Sequence, residues 1–312
     1  MNRRHVLRVL AASTLVAALG QSLWQPAEAA ASKSSKSSKS TSRRSPRRAA
    51  RRASDEPDVK SNVALVLDRS DHSVLFSRKP DEAMPIASIT KLMSALVVLD
   101  GKQPLDEIIE ISPEDRARGK GAFSRLAVGT RLSRGDLLNL ALMSSENRAA
   151  HAVGRSYPGG EAEFVRTMNL KARKLGMTRT RFVDPSGLSS DNVASATDLT
   201  HLVIAASDIA RIREYSTCKA HAVKVGRKML EFHNTNSLVN NPDWGITVQK
   251  TGYIEEAGRC LVMQADVERR PVIFVLLDSF GKYTRVADAR RIRQWMATRN
   301  DARGEPTGAA KA

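Results

Sequence analysis

Ser88-Ile89-Thr90-Lys91-Leu92-Met93-Ser94-Ala95-Leu96-Val97-Val98-Leu99 is the stretch on which the reading of this chain turns. It reads as a helix apolar on most of its faces, and such a helix belongs inside a domain. Lys91, set among Ile89, Leu92, Met93, Leu96 and Val97, is in a poor place for an idle charge. Residues three apart on a helix share a face, so Ser88 and Lys91 point together. Burial and a second nearby cation, which Lys250 would supply, both favour the neutral amine, and that form could take the proton of the hydroxyl.

Outward from this helix the pattern changes on both sides. Before it, Asn62 to Leu67 and Ser73 to Phe76 read as two strands joined by a polar turn at Ser70-Asp71-His72. After it comes a mostly helical middle. Ser133 is the expected N-cap of a helix carrying Leu137, Leu138 and Leu140, with Asp136 in its first turn. Further helices are expected over 148–155, 161–175 and 197–206. Strands follow at 221–225, 228–233, 245–252, 259–266 and 271–277, and a last helix puts Val286, Ala289, Ile292 and Trp295 on one stripe. Strands at both ends with helices between them suit an α/β chain of the α+β type. In it an antiparallel sheet pairs its first and last strands and carries an inserted helical subdomain.

Two further triplets extend the chemistry. Ser145-Glu146-Asn147 falls in a loop between helices, 57 residues after Ser88, and Lys250-Thr251-Gly252 closes an apolar strand 105 residues later. Each alone is weak: Ser and Asn favour helix starts, and a Lys-Thr-Gly is often a surface turn. In this order they supply a nucleophile, a base, a proton-relaying hydroxyl and a cationic seat for a carboxylate. Ser145 would relay the proton and Asn147 would bond the substrate backbone. Lys250 and Thr251 would hold a terminal carboxylate. Gly252 would let a ligand backbone approach the strand. The N–H of Tyr253 would join that of Ser88 in an oxyanion hole.

The net charge of +17 suggests nucleic acid until it is located. Arg3, Arg4 and Arg8, with nine Lys and Arg between Lys33 and Arg52, account for twelve of it, leaving the remainder near +5. The excess belongs mostly to a tail, so no nucleic-acid partner is expected. The basic start, an apolar run from Val9 to Trp24 and Ala27-Glu28-Ala29 read as a secretory signal cut near Ala29. The Ser/Lys/Arg-rich segment that follows has no large aliphatic residue and should be disordered, either a spacer or a tether to an anionic wall or membrane surface. Cys218 and Cys260 could pair in an oxidising compartment, but two separate thiols are the favoured expectation. No Cys/His cluster has metal-site spacing, and neither metal nor cofactor is expected. His72, His151, His201, His221 and His233 show no carboxylate partner at useful spacing, so no Ser-His-Asp triad is expected.

Beyond the triplets, Ala172-Arg173-Lys174-Leu175-Gly176-Met177, Phe182-Val183-Asp184-Pro185-Ser186-Gly187-Leu188 and Glu256-Ala257-Gly258-Arg259-Cys260-Leu261 resemble the serine D-Ala-D-Ala peptidases, the low-molecular-weight penicillin-binding proteins. The likeness runs from Val59 to Met296. Met143 to His151 and Gln249 to Ile254 are similar to the endopeptidase branch of that family. The resemblance implies a β-lactamase/transpeptidase-like fold with a five-stranded antiparallel sheet. It implies Ser88 as acyl-ester nucleophile, Lys91 as general base, Ser145 as third catalytic residue and Lys250 as substrate seat. It also implies peptidoglycan stem peptides as substrate and β-lactams as covalent inhibitors. The expected layout is a signal peptide over 1–29, a disordered basic linker over 30–58, one peptidase domain over 59–299 and a disordered tail over 300–312. The carboxypeptidase relatives add a second domain and an amphipathic anchor, whereas here about sixty polar-ended residues follow Lys-Thr-Gly, which favours the endopeptidase type; the signal peptide implies export to the periplasm.

Three rivals remain open at this level. A β-lactamase would need a carboxylate to activate a deacylating water, and Asp184 is the one acid between Lys171 and Leu188. A carboxypeptidase would share every motif. A non-catalytic wall-binding module would rely on the basic tail alone.

Overall fold

The computed structural model describes residues 56–116 and 123–302, with side chains to residue 299. The expected signal peptide, the basic linker up to residue 55 and the tail beyond 302 lie outside the described residues. The elements run β1 (Ser61–Asp68), β2 (Val74–Arg78), β3 (Met84–Pro85), α1 (Thr90–Asp100), β4 (Ile108–Glu110), β5 (Arg131–Ser133), α2 (Arg134–Met143), α3 (Asn147–Arg155) and α4 (Gly160–Lys174). They continue with β6 (Val193–Ala194), α5 (Ala196–Ser207), α6 (Ala210–Thr217), β7 (Ala220–Val225), β8 (Lys228–His233), β9 (Val248–Ile254), β10 (Gly258–Val267), β11 (Arg270–Ser279) and α7 (Thr284–Ala302).

The main sheet is antiparallel in the order β2-β1-β11-β10-β9, so the first and last strands pair as expected. Side chains alternate across a strand. Val63, Leu65 and Leu67 therefore face one core with Ile273, Val275 and Leu277. Ala64 and Val66 face another with Phe274 and Leu276, beneath Ala289, Ile292 and Met296 of α7. Burial on both faces is why β1 reads as an unbroken apolar run. The larger core surrounds α1, whose residues from Thr90 to Val98 are all buried.

Four local expectations need correction. Ser88 stands in a 3-10 turn, Ala87–Ile89, and α1 proper begins at Thr90. The strand expected from residue 245 begins at Val248, because Asn241 caps a 3-10 turn at Pro242–Trp244 and Pro242 fits a first-turn position. Lys-Thr-Gly consequently lies in mid-strand. Helix α6 was not expected: only Ile212 and Ser216 of its eight residues are buried, too thin a stripe to register as a period.

Candidate active site

Ser88 follows Ala87, whose φ of 48° is left-handed, a strained setting for a residue with a Cβ. Its surroundings hold the turn. Thr90 Oγ1 donates to Ala87 O at 2.8 Å, and Ile86 N donates to Asn192 O at 3.0 Å. Two glycines let other backbone close on it. A Cβ on Gly187 would sit 1.9 Å from Ala87 O, and one on Gly252 would sit 2.9 Å from Ile86 O and 3.2 Å from Ser88 N. Strand β9, an edge strand, thus passes directly beside the backbone N–H of Ser88.

Lys91 is 1% exposed, with Nζ 2.7 Å from Ser88 Oγ, 2.8 Å from Asn147 Oδ1 and 2.6 Å from Ser186 O. An amide oxygen and a peptide carbonyl can only accept. A neutral amine has two N–H groups, which these two acceptors use, and one lone pair, which is left for the Ser88 hydroxyl. Burial lowers the Lys91 pKa to about 7, against the upward pull of the Asp184 and Glu146 charges. Burial is the first cause, ahead of any effect of Lys250.

Ser186 O is aimed by the loop that contains Asp184. Asp184 Oδ1 accepts from Ser186 N, Ser186 Oγ and Gly187 N at 2.6–2.7 Å, and Oδ2 accepts from Ser189 N at 2.9 Å and Asn192 Nδ2 at 2.7 Å. Burial alone would raise this carboxyl, yet the donors from Ser186, Ser189 and Gly187 together hold it below the ordinary carboxylate value. Ser94 Oγ donates to Pro185 O at 2.7 Å and ties the same loop to α1.

On the far side of the cleft Ser145, with a left-handed φ of 63°, sits between α2 and α3. Lys250 Nζ donates to Ser145 Oγ at 2.9 Å and to Thr251 O at 2.8 Å. Burial, then the charges of Lys91 and Arg285, push the Lys250 pKa well below its ordinary value. Thr251 Oγ1 shares a 2.6 Å hydrogen bond with Thr235 Oγ1. Arg285, in the first turn of α7, is buried, its Nε has no partner, and among the described residues no carboxylate pairs with it. Glu146 is buried too, bonded by Ser124 Oγ, with burial raising its pKa.

Residues 50–281 match the family described as D-alanyl-D-alanine carboxypeptidase, peptidase family S11. The chain belongs to this family. It is 50% identical over 245 residues to a D-alanyl-D-alanine endopeptidase of Pseudomonas aeruginosa, and 45% identical over 245 residues to one of Escherichia coli. Each match covers 78% of this chain and 79% of the relative. Among solved structures, a penicillin-binding protein of Listeria monocytogenes in its cefotaxime-bound form is 29% identical with a TM-score of 0.68, over 76% of this chain and 97% of its own. A Streptomyces DD-transpeptidase is 25% identical with a TM-score of 0.70, over 78% and 99%. The five-stranded sheet and helices of this S11 peptidase are therefore those of the penicillin-binding and transpeptidase fold, and the chain is a serine-type D-Ala-D-Ala peptidase.

Within this S11 peptidase, Lys91 bonds Ser88 and Lys250 bonds Ser145, and β9, which carries Lys250, passes beside Ser88. Asn147 lies there too, its Oδ1 turned to Lys91. Gly252 lies beside Ser88, and Tyr253 is the exposed residue after it, 56% open. Two histidines have carboxylate partners that spacing along the chain did not reveal. His151 Nδ1 meets Glu161 Oε2 at 3.1 Å and His221 Nε2 meets Asp136 Oδ1 at 2.8 Å, across separations that only folding closes. Ser133 bonds the same Asp136, which leaves the acid between serine and histidine, the wrong order for a triad. Cys218 and Cys260 are separate thiols, the latter buried and pushed up to about 12. Sequence reasoning missed Ser186, Asn192, Thr235 and Arg285. For the first two a signal existed: Asp184-Pro185-Ser186-Gly187 has the form of a turn built on an aspartate side chain.

Proposed function

We propose that this peptidase is an exported D-alanyl-D-alanine endopeptidase that hydrolyses peptidoglycan cross-links through an ester on Ser88, with β-lactams as covalent inhibitors. The observation that carries the reading is the Lys91 amine: buried, near neutral at physiological pH, and 2.7 Å from Ser88 Oγ. Its lone pair takes the hydroxyl proton as Oγ attacks the D-alanyl carbonyl carbon, giving a tetrahedral oxyanion. The N–H groups of Ser88 and Tyr253 receive that oxyanion where β9 passes the nucleophile. The proton moves from Lys91 through Ser145 to the leaving nitrogen, the C–N bond breaks, and the acyl group stays on Ser88. Water, deprotonated by the same amine, then cleaves the ester. Lys250 holds Ser145 in place, and with Thr251 and the unpaired guanidinium of Arg285 it seats the carboxylate next to the scissile bond. Asn147 orients Lys91 and the substrate backbone.

Relatives at 50% and 45% identity are endopeptidases, while those named carboxypeptidases stand at 25–28%, which favours cross-link cleavage. Both Asp184 oxygens are occupied by donors, so Asp184 is not free to activate water against a β-lactam ester, which argues against a β-lactamase. Among the described residues no helix is long and apolar enough to cross a membrane. Residues 1–29 act as the export signal, 30–58 as a basic linker drawn to anionic wall or membrane surface, and 59–299 as the catalytic domain of a periplasmic protein.

Labelled penicillin is expected to form a covalent adduct with the wild type and none with Ser88→Ala. A folded wild-type protein that takes no label would sink the enzyme reading. Parallel digestion of cross-linked and uncross-linked muropeptides separates endopeptidase from carboxypeptidase action.

A further inference from the structure

Glu256-Ala257-Gly258-Arg259-Cys260-Leu261 takes no part in the acyl-transfer steps above, yet it brings a cation to the edge of the cleft. Arg259 stands opposite Tyr253 in the β9–β10 register, as Leu261 stands opposite Thr251. Alternation therefore places Thr251, Tyr253 and Arg259 on one face at the edge of the sheet. The Arg259 guanidinium lies over the Tyr253 ring, 4.4 Å from its centroid. A stacked guanidinium is held by its face and keeps its fork of N–H donors free for oxygen acceptors. Among the described residues no carboxylate pairs with Arg259. Arg259 is half-buried, and Arg285 in the first turn of α7 is buried and close enough for the two charges to be felt by one another.

The two candidate reactions release different leaving groups. A carboxypeptidase releases free D-alanine, with one carboxylate, which Lys250, Thr251 and Arg285 can seat. An endopeptidase releases a whole stem peptide with further carboxylates beyond that one. A second cation fits only the second case.

We propose that Arg259, stacked on Tyr253, binds a second carboxylate on the leaving stem and so makes the site selective for cross-linked peptide over a free D-alanine end. This rests on the endopeptidase reading. Loss of a charge-assisted bond predicts about a tenfold fall in kcat/KM on cross-linked muropeptide dimers for Arg259→Gln, carried by KM. Penicillin acylation and turnover of uncross-linked pentapeptide should stay within about twofold, and Arg259→Lys should recover part of the loss. A second arm needs no variant: wild-type enzyme should cleave dimers whose leaving-stem carboxylates are amidated about tenfold more slowly than free-acid dimers. Equal rates on the two dimers, or a parallel fall of penicillin acylation in Arg259→Gln, would overturn the proposal. A wild type that takes no penicillin label fails the enzyme reading itself, whereas a labelled wild type indifferent to amidation fails this inference alone.

Discussion

At the scale of single residues, the protonation of Lys91 governs the proposed chemistry. Only the neutral amine can accept the Ser88 proton, and its pKa stands near 7. Penicillin acylation measured from pH 5 to 9 should therefore rise with pH and level off above a midpoint of about 7. A profile flat across that range would remove Lys91 from the role of base. The same shift has a consequence for stability. The folded pKa lies below the ordinary lysine value of 10.5, so between pH 7 and 10.5 the unfolded chain binds the extra proton and stability rises with pH. Burying Lys91 is most unfavourable below pH 7 and neutral once both states are deprotonated. Lys91→Met lacks this dependence, so its urea midpoint, relative to wild type, should be highest at pH 6 and fall by pH 9. No change in that difference would mean the lysine is not desolvated. Burial of Lys91 was legible from its apolar neighbours. Its two accepting partners, Asn147 Oδ1 and Ser186 O, were not, because they are 56 and 95 residues away.

At the scale of elements, the loop around Asp184 and the strand β9 act as jaws on the nucleophile turn. Asp184→Ala would leave the N–H groups of Ser186, Gly187 and Ser189 without their acceptor, costing about 3 kcal/mol and lowering the melting temperature by several degrees. Acylation should fall as well, since Ser186 O would no longer be held against Lys91. Gly187→Ala is the harsher change. Its methyl would arrive 1.9 Å from Ala87 O, at a backbone φ of 80° that an L side chain rarely adopts. We expect a loss of more than about 3 kcal/mol, with penicillin labelling abolished in whatever protein stays folded. Normal labelling of a well-folded Gly187→Ala protein would show that the loop does not brace the turn. Elements with a strong period were readable: α1 from its apolar faces, α2 from Ser133, whose side chain accepts from Asp136 N, and β10 and β11 from their apolar runs. Helix α6 and the start of β9 were not, because packing against other elements, rather than propensity, decides where they begin and end.

At the scale of the whole molecule, one sheet divides two cores, and its middle pairing joins strands more than 190 residues apart in the chain. The residues that make the site lie within 59–299, and the densest run of basic residues lies before them. Removing residues 1–55 should therefore leave penicillin acylation unchanged within about twofold, while salt-sensitive sedimentation with isolated anionic cell wall should disappear. Retained sedimentation would assign wall binding to the folded domain. The amino-acid sequence alone pointed to the groups proposed to react and to what surrounds them. The nucleophile, the two lysines, the relaying serine and the apolar setting of Lys91 are properties of residue type and short spacing, and these survive without coordinates. Only the tertiary structure decided how they are arranged: the acceptors that leave the Lys91 lone pair to Ser88, the guanidinium stacked on Tyr253, and the glycines that admit backbone to the turn. Those depend on contacts between distant segments. Chain order does not specify them until burial on both faces of the sheet draws the segments together.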